Sequence, residues 1–188
     1  IYYPELSNAD ILVSEFVDGM SLEEGIEEKA LTWDFLLQFF RIHGAYLFGI
    51  GTFHGDLHPG NCIVDPNGKF VFIDNGAICH APKKVAHALF HFFDHLSRQE
   101  MQQAFDALLA MTKVNPTPKK LAKYYATMTE IYTDFEKKPV GEQSLTRIMM
   151  KTVKAAVEHA GANFGEEAFP IIRALMYLDG LVIRTHPN

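Results

Sequence analysis

The sequence is short of cysteine, of positive charge and of long apolar runs, and each shortage removes a class of protein. Only Cys62 and Cys79 occur among 188 residues. They form no C-x-x-C pair, so a disulfide framework, a zinc motif and a dithiol centre are all disfavoured, and free thiols fit a reducing compartment. Both read as small buried apolar groups. Lys and Arg number 17 against 23 Asp and Glu, a formal net charge of -6. That balance excludes the strong basic excess of a general nucleic-acid binder, so no nucleic-acid partner is expected. No stretch of about 20 apolar residues is present, and no charged leader precedes an apolar signal core, so no segment reads as a membrane-spanning helix.

What is present is a chain 48% hydrophobic. At this size a single globular unit, residues 1–188, buries roughly 70% of the unfolded surface. Ser21-Leu22-Glu23-Glu24 has the pattern of a capping box opening a short helix. Thr32 to Ile50 reads as a longer helix with Phe35, Leu36, Phe39, Phe40, Ala45 and Leu47 on an incomplete apolar stripe. Further helices are predicted for Pro82 to Leu96, Gln99 to Met111, Pro118 to Glu136, Gly141 to His159 and Glu166 to Arg184. Breaks are predicted at Asn115-Pro116 and near Gly161 to Gly165. Cys62-Ile63-Val64 and Phe70-Val71-Phe72-Ile73 flank Asp65-Pro66-Asn67-Gly68 and read as a hairpin. The expected fold is mainly α with this one small β-hairpin.

The chemistry concentrates around the hairpin. Phe53-His54-Gly55-Asp56-Leu57-His58-Pro59-Gly60-Asn61 precedes it and Ile73-Asp74-Asn75-Gly76 closes it. Asp56 and Asn61 have the separation of H-R-D-x-x-x-x-N catalytic loops, in which Asp orients or deprotonates the nucleophile and Asn holds magnesium. Asp74 stands where D-F-G supplies a second metal ligand. The hairpin returns Asp74 to the end where Asn61 leaves, so one Mg2+ can meet both. His58 takes the place of the Lys in D-x-K and joins Asp56 as a catalytic candidate whose charge depends on pH. Asp and Asn also cap turns in Gly/Pro-rich loops; the order of loop, hairpin and second Asp favours the site.

These motifs resemble the UbiB family of atypical protein-kinase-like proteins. Leu12-Val13-Ser14-Glu15-Phe16-Val17-Asp18-Gly19 resembles the strand and hinge between lobes (about 12–19), residues 53–61 the catalytic loop, 74–76 the metal-binding motif, and Arg173-Ala174-Leu175-Met176-Tyr177-Leu178-Asp179-Gly180 the terminal helix. H-G-D-L-H-P-G-N is also similar to loops of aminoglycoside and choline phosphotransferases. The resemblance to UbiB implies a protein-kinase-like C-lobe that binds ATP, with adenine received by backbone groups of Glu15, Phe16 and Val17, and that depends on magnesium. It further implies kinase or ATPase activity in ubiquinone or related isoprenoid-lipid metabolism. The implied partners are nucleotide, membrane lipid or lipid-biosynthesis proteins; the implied location is the cytoplasmic or mitochondrial-matrix side, in association with a membrane.

Three positions depart from typical protein kinases: Asn75 for the D-F-G Phe, Gly55 for the catalytic-loop Arg, and His58 for Lys. The phosphate-covering loop, the strand Lys and the family's Ala-rich and K-x-G-Q segments would lie upstream of the hinge, so the missing N-lobe of the same protein is an expected partner. Two rival readings stand beside this one: a small-molecule phosphotransferase of the aminoglycoside or choline type, and a non-catalytic nucleotide-sensing scaffold. His87, His91 and His95 recur every four residues; they complete no recognised ligand set and read as a polar helix face. Lys119, Lys120 and Lys123 read as a solvated face rather than a lipid-headgroup contact.

Without a covering lobe, the hinge edge and two metal ligands enclose too little of a nucleotide for tight binding. The isolated chain is therefore expected to fold but not to turn ATP over. Calorimetric titration with Mg-ATP, in parallel with a form extended upstream, checks this; tight binding and steady hydrolysis by the isolated chain would overturn it.

Overall fold

In the computed structural model, which describes residues 2–133, 135 and 144–185, a capping box sets the first helix. The Ser21 hydroxyl accepts from the Glu24 N–H at 3.2 Å, and the Glu24 carboxylate accepts from the Ser21 N–H at 2.8 Å. Two otherwise orphaned helix-start donors are thereby satisfied. The strand β1 (Met20–Ser21) runs straight into α1 (Leu22–Glu27). Leu22 is buried at the first position of α1.

The helix α2 (Trp33–Gly44) starts at a Thr32 cap and continues as a π-turn, Ala45–Ile50, closed by left-handed Gly51. The predicted stripe holds for Leu36, Phe39 and Leu47, which are buried, and for Phe35 and Phe40, which are half-buried; Ala45 is exposed. The helical period itself is the reason: at 3.6 residues per turn Ala45 falls on the face opposite Leu36, while Leu47 returns to the Leu36 face. Phe39 packs under the second strand of the hairpin, with ring centroids 5.4 Å from Phe70 and 5.9 Å from Phe72, and Phe35 lies 4.6 Å from Phe70. The α2 helix is thus the apolar bed of the hairpin.

The hairpin forms as predicted, β3 (Cys62–Val64) against β4 (Phe70–Phe72), with Cys62 opposite Phe72. Asp65 Oδ1 accepts from the Asn67 and Lys69 amides at 2.9 and 2.8 Å, and Gly68 takes the left-handed turn position. A single hairpin understates the β-structure. β1 adds to β3 to make a three-stranded sheet, and β2 (Thr52–His54) pairs antiparallel with β5 (Ile78–His80). These strands have only two or three residues, too short for alternation to appear in the sequence. The predicted strand at Leu12-Val13 is also corrected: that segment is extended, with one isolated bridge from Ser14 to Tyr2.

The remaining chain is helical: α3 (Lys83–Ser97), α4 (Met101–Ala110), α5 (Pro118–Tyr132), α6 (Leu145–Ala155) running into a π-turn to Ala160, and α7 (Ala168–Thr185). Each answers a predicted helix, and left-handed Gly161 and Gly165 fall at the predicted break. The predicted starts and ends at 136 and 141–143 lie outside the described residues. Tyr124 and Tyr132 tie the bundle together, donating to the Phe105 carbonyl at 2.9 Å and meeting the Thr152 hydroxyl at 3.0 Å. His87 and His91 face each other on α3 with Nε2 atoms 3.2 Å apart, and His95 meets Glu100 at 2.6 Å. No group of three or more His, Cys, Asp or Glu able to hold a metal exists among the described residues. Lys119, Lys120 and Lys123 are exposed on α5. No described helix is long and apolar enough to cross a membrane.

His43 is buried in α2, edge-on to Phe53 at 6.0 Å, and its Nε2 has no partner among the described residues. Burial, reinforced by neighbouring His54, pushes its pKa down to about 4. The unfolded chain then takes up this proton first as pH falls. The stabilisation from a neutral His43 is therefore complete above about pH 6.5 and is lost progressively toward pH 4, amounting to at most about 3 kcal/mol. Replacing His43→Phe should flatten that part of the stability profile, as followed by urea unfolding between pH 7 and 4; an unchanged slope would show that His43 is not its source.

Candidate functional site

The loop that carries the chemistry is held by its alternate residues. Phe53, Leu57 and Cys62 are buried, and Pro59 is buried between them. Asp56 and Asn61 are left half-buried and His58 exposed, on the outer side of an anchored backbone. Gly55 has a steric reason: a Cβ there would lie 2.5 Å from Cys79 Sγ and 3.0 Å from the Ala77 carbonyl oxygen. β2 and β5 close on each other only because nothing projects at that point.

Two hydrogen bonds join the loop to the segment after the hairpin, and two more brace the loop itself. The Ile73 N–H donates to the Asn61 carbonyl at 2.9 Å, continuing the β3–β4 pairing by one step. The Asn61 side-chain amide donates to the Asp56 carbonyl at 3.1 Å, which leaves its Oδ1 as the acceptor for a cation. Buried His54 accepts from the Asp56 N–H on Nδ1 at 3.3 Å, so its proton sits on Nε2, which meets the Ile73 carbonyl at 3.0 Å. Asp56, Asn61 and the residue before Asp74 thus belong to one small network. Asp74 itself is exposed in the left-handed conformation, with φ 55°, a strained position that Asp tolerates better than most residues. Asn75 is exposed, so the segment lacks the apolar anchor that a Phe would give.

His58 lies at the rim. Its Nδ1 accepts from the Gly60 N–H at 3.1 Å, and a Cβ on Gly60 would press on that nitrogen at 3.2 Å. The ring stands edge-on to Tyr177 at 6.0 Å. The hinge joins the site more remotely. Gly19 docks against β3, where a Cβ would fall 2.2 Å from the Val64 carbonyl oxygen, and β1 then pairs with β3. Glu15 is exposed, Val17 half-buried, and Phe16 is 88% exposed.

Sequence reasoning missed the contribution of α7. Arg173 Nε–H donates to the Gly55 carbonyl at 2.7 Å, so a guanidinium arrives from the far end of the chain beside the position where Gly replaces the catalytic-loop Arg. One turn along, Tyr177 faces Asp56, whose carboxylate, with some burial, raises the phenol above its usual range. Asp56 Oδ1 is buried and unpartnered among the described residues. The signal was present as Arg173 and Tyr177 at i, i+4 spacing on one helix face, but the loop they serve lies more than a hundred residues away in sequence.

An oxygen-only donor set of one carboxylate and one amide carbonyl suits magnesium, which keeps water and phosphate oxygens for its other positions. Asn61 Oδ1 and Asp74 have the chemistry of such a set. Arg173→Met should cost about 1–3 kcal/mol, the scale of a charged hydrogen bond, and should speed amide exchange across residues 52–58. Arg184→Met, which breaks an exposed ion pair with Glu23, should cost less than about 1 kcal/mol. Equal effects in denaturant titration and exchange would show that Arg173 is only a surface residue.

Residues 2–108 match the ABC1 atypical kinase-like domain. The chain is 25% identical over 194 residues to Protein ACTIVITY OF BC1 COMPLEX KINASE 3, chloroplastic, of Arabidopsis thaliana, covering 98% of this chain and 26% of that protein. It is 22% identical over 201 residues to a probable protein kinase UbiB of Blochmanniella pennsylvanica, covering 99% of this chain and 35% of that protein. The chain thus spans between a quarter and about a third of the curated relatives it matches. With the catalytic-loop network in place and more than half its length matched, the chain belongs to the ABC1/UbiB atypical kinase-like family.

Proposed function

We propose that this chain is the catalytic C-lobe of an ATP- and magnesium-dependent kinase or ATPase. The observation that supports the reading is the network through Asn61, which joins the Asp56 carbonyl to the Ile73 amide and so ties the backbone of the loop bearing Asp56 to the residue before Asp74. The Asp56 carboxylate, on a half-buried residue of the loop, accepts the proton of an attacking hydroxyl or water. The Tyr177 phenol stays protonated beside it and can donate to the same carboxylate, fixing its orientation. When bound, magnesium would neutralise charge on the transferring phosphoryl group; Asn61 Oδ1 and Asp74 would hold it. His58 stands at the entrance, where an acceptor would pass.

The hinge, with backbone groups of Glu15, Phe16 and Val17, would receive adenine. Ile11, Leu12 and Phe16 are 57%, 78% and 88% exposed, an apolar edge that fits a partner surface such as an N-lobe of the same protein. A role in ubiquinone or related isoprenoid-lipid metabolism, at a membrane, rests on the family resemblance.

Two substitutions in the full-length protein separate the roles. Asp74→Asn should weaken Mg-nucleotide binding and raise the magnesium requirement, because a carboxylate leaves a divalent site. Asp56→Asn should bind ATP nearly as well and lose most turnover, about a hundredfold or more. Calorimetry and steady-state phosphate release distinguish them. Equal loss of binding and turnover in Asp56→Asn would assign that residue to structure, and unchanged magnesium dependence in Asp74→Asn would sink the metal assignment.

A further inference from the structure

Two imidazoles meet on the surface of α3 and have no part in the phosphoryl-transfer reading. His87 and His91 stand four residues apart, so the helix stacks them on one face, and their Nε2 atoms lie 3.2 Å apart. The ring centroids are 4.3 Å apart with the planes at 77°. His87 is exposed and His91 half-buried, so the pair is reached from solvent. Packing restrains the second ring: His91 lies 5.8 Å from Phe90 and 5.9 Å from His95, and Phe90 is itself seated edge-on to Phe48 at 5.6 Å. A ring held in this way loses little further freedom when it takes up a ligand.

As neutral rings the two share one proton, with one Nε2–H donating and the other Nε2 accepting. A metal ion can take that proton's place, the proton passing to Nδ1 of the ring that carried it, so that both Nε2 lone pairs face the ion. Two nitrogens bound to one tetrahedral ion at about 2.0–2.1 Å stand about 3.3 Å from each other. The observed separation therefore already matches a chelate. Histidines at i, i+4 on one helix face are also the zinc-holding pair of H-E-x-x-H helices.

The neighbours set the number of ligands at two. His95 is engaged by Glu100 at 2.6 Å and Asp94 by Arg98 at 3.0 Å, and no third His, Cys, Asp or Glu completes a group among the described residues. Water would fill the remaining positions on a bound ion. A donor set of imidazoles alone suits Zn2+, Ni2+ and Cu2+, whereas Mg2+ and Ca2+ prefer oxygen. We propose that His87 and His91 form a surface chelate on α3 that binds one divalent transition-metal ion through both Nε2 atoms. The assignment does not depend on the phosphoryl-transfer reading, whose metal-directed donors, Asn61 Oδ1 and Asp74, are oxygens.

The test titrates Zn2+ by calorimetry, without nucleotide, into the untagged chain and the untagged full-length protein, with Mg2+ as the comparison ion. Saturable binding of Zn2+ and none of Mg2+ at the same concentrations is the expected result. His87→Gln and His91→Gln should each weaken Zn2+ about a hundredfold, because a single imidazole no longer chelates. His80→Gln, which removes an exposed histidine bonded to Thr52, should leave Zn2+ binding unchanged. In spectra of the chain, substoichiometric Cu2+ should broaden the amide resonances of residues 84–94 before any others. Saturating Zn2+ should raise the Tm of the parent but not that of His91→Gln, with an unchanged fold of each variant shown by circular dichroism in the absence of metal. The proposal fails if His87→Gln or His91→Gln binds Zn2+ as tightly as the parent, if His80→Gln weakens it equally, or if Cu2+ broadens the catalytic loop first. It also fails if the full-length protein takes up no Zn2+, since that face of α3 is then covered by other protein.

Discussion

The register of the β3–β4 hairpin is the constraint on which the candidate site depends. Asn61 enters β3 and Ile73 leaves β4, and the bond between them is the last rung of the ladder. A slip of one residue would turn Cys62 and Val64 out of the core and carry Asp74 away from Asn61. Three independent features hold the register. The Asp65 turn fixes the loop length, Phe35 and Phe39 seat β4 on α2, and β1 pairs on the other side of β3. The site geometry is therefore inherited from packing that contains none of the reactive residues.

His54 adds a second lock. It sits between Asp56 and Ile73, stacked on Phe72 at 6.0 Å. A hydrophobic residue at this position could fill the space but could not satisfy the Asp56 N–H and the Ile73 carbonyl together. Leaving both unmet in a buried place would cost on the order of 2–6 kcal/mol. The imidazole thus has a local structural reason, separate from proton transfer.

Much of this was legible in the sequence because the signals are local. The capping box at Ser21, the turn at Asp65-Pro66-Asn67-Gly68, and the helices all depend on residues within a few positions of one another. The return of the segment before Asp74 to the end of the loop at Asn61 was legible because a short hairpin fixes it. The short strands β1, β2 and β5 were not, since they exist by pairing with distant partners and are too brief to show alternation. Ala45 was misplaced because it is apolar but lies opposite Leu36 on the helical wheel, where small apolar residues are tolerated at the surface. Arg173, Tyr177 and Asp179 were quoted as part of a helix, but their roles depend on what stands across from that helix in space.

Those three residues show why α7 matters beyond its own burial. Arg173 and Tyr177 project toward the loop and Asp179 toward the start of α6. An 18-residue helix is stiff on the scale of one side chain, so a displacement at Asp179 is carried to Arg173 with little loss over less than two turns. Rigidity alone sets no direction of influence; two ligands communicate only where each prefers a different position of the shared element. The helix meets the mechanical requirement for such communication. Against α6, the two bonds that Thr146 donates to Asp179 are the contacts that any movement of α7 would have to break.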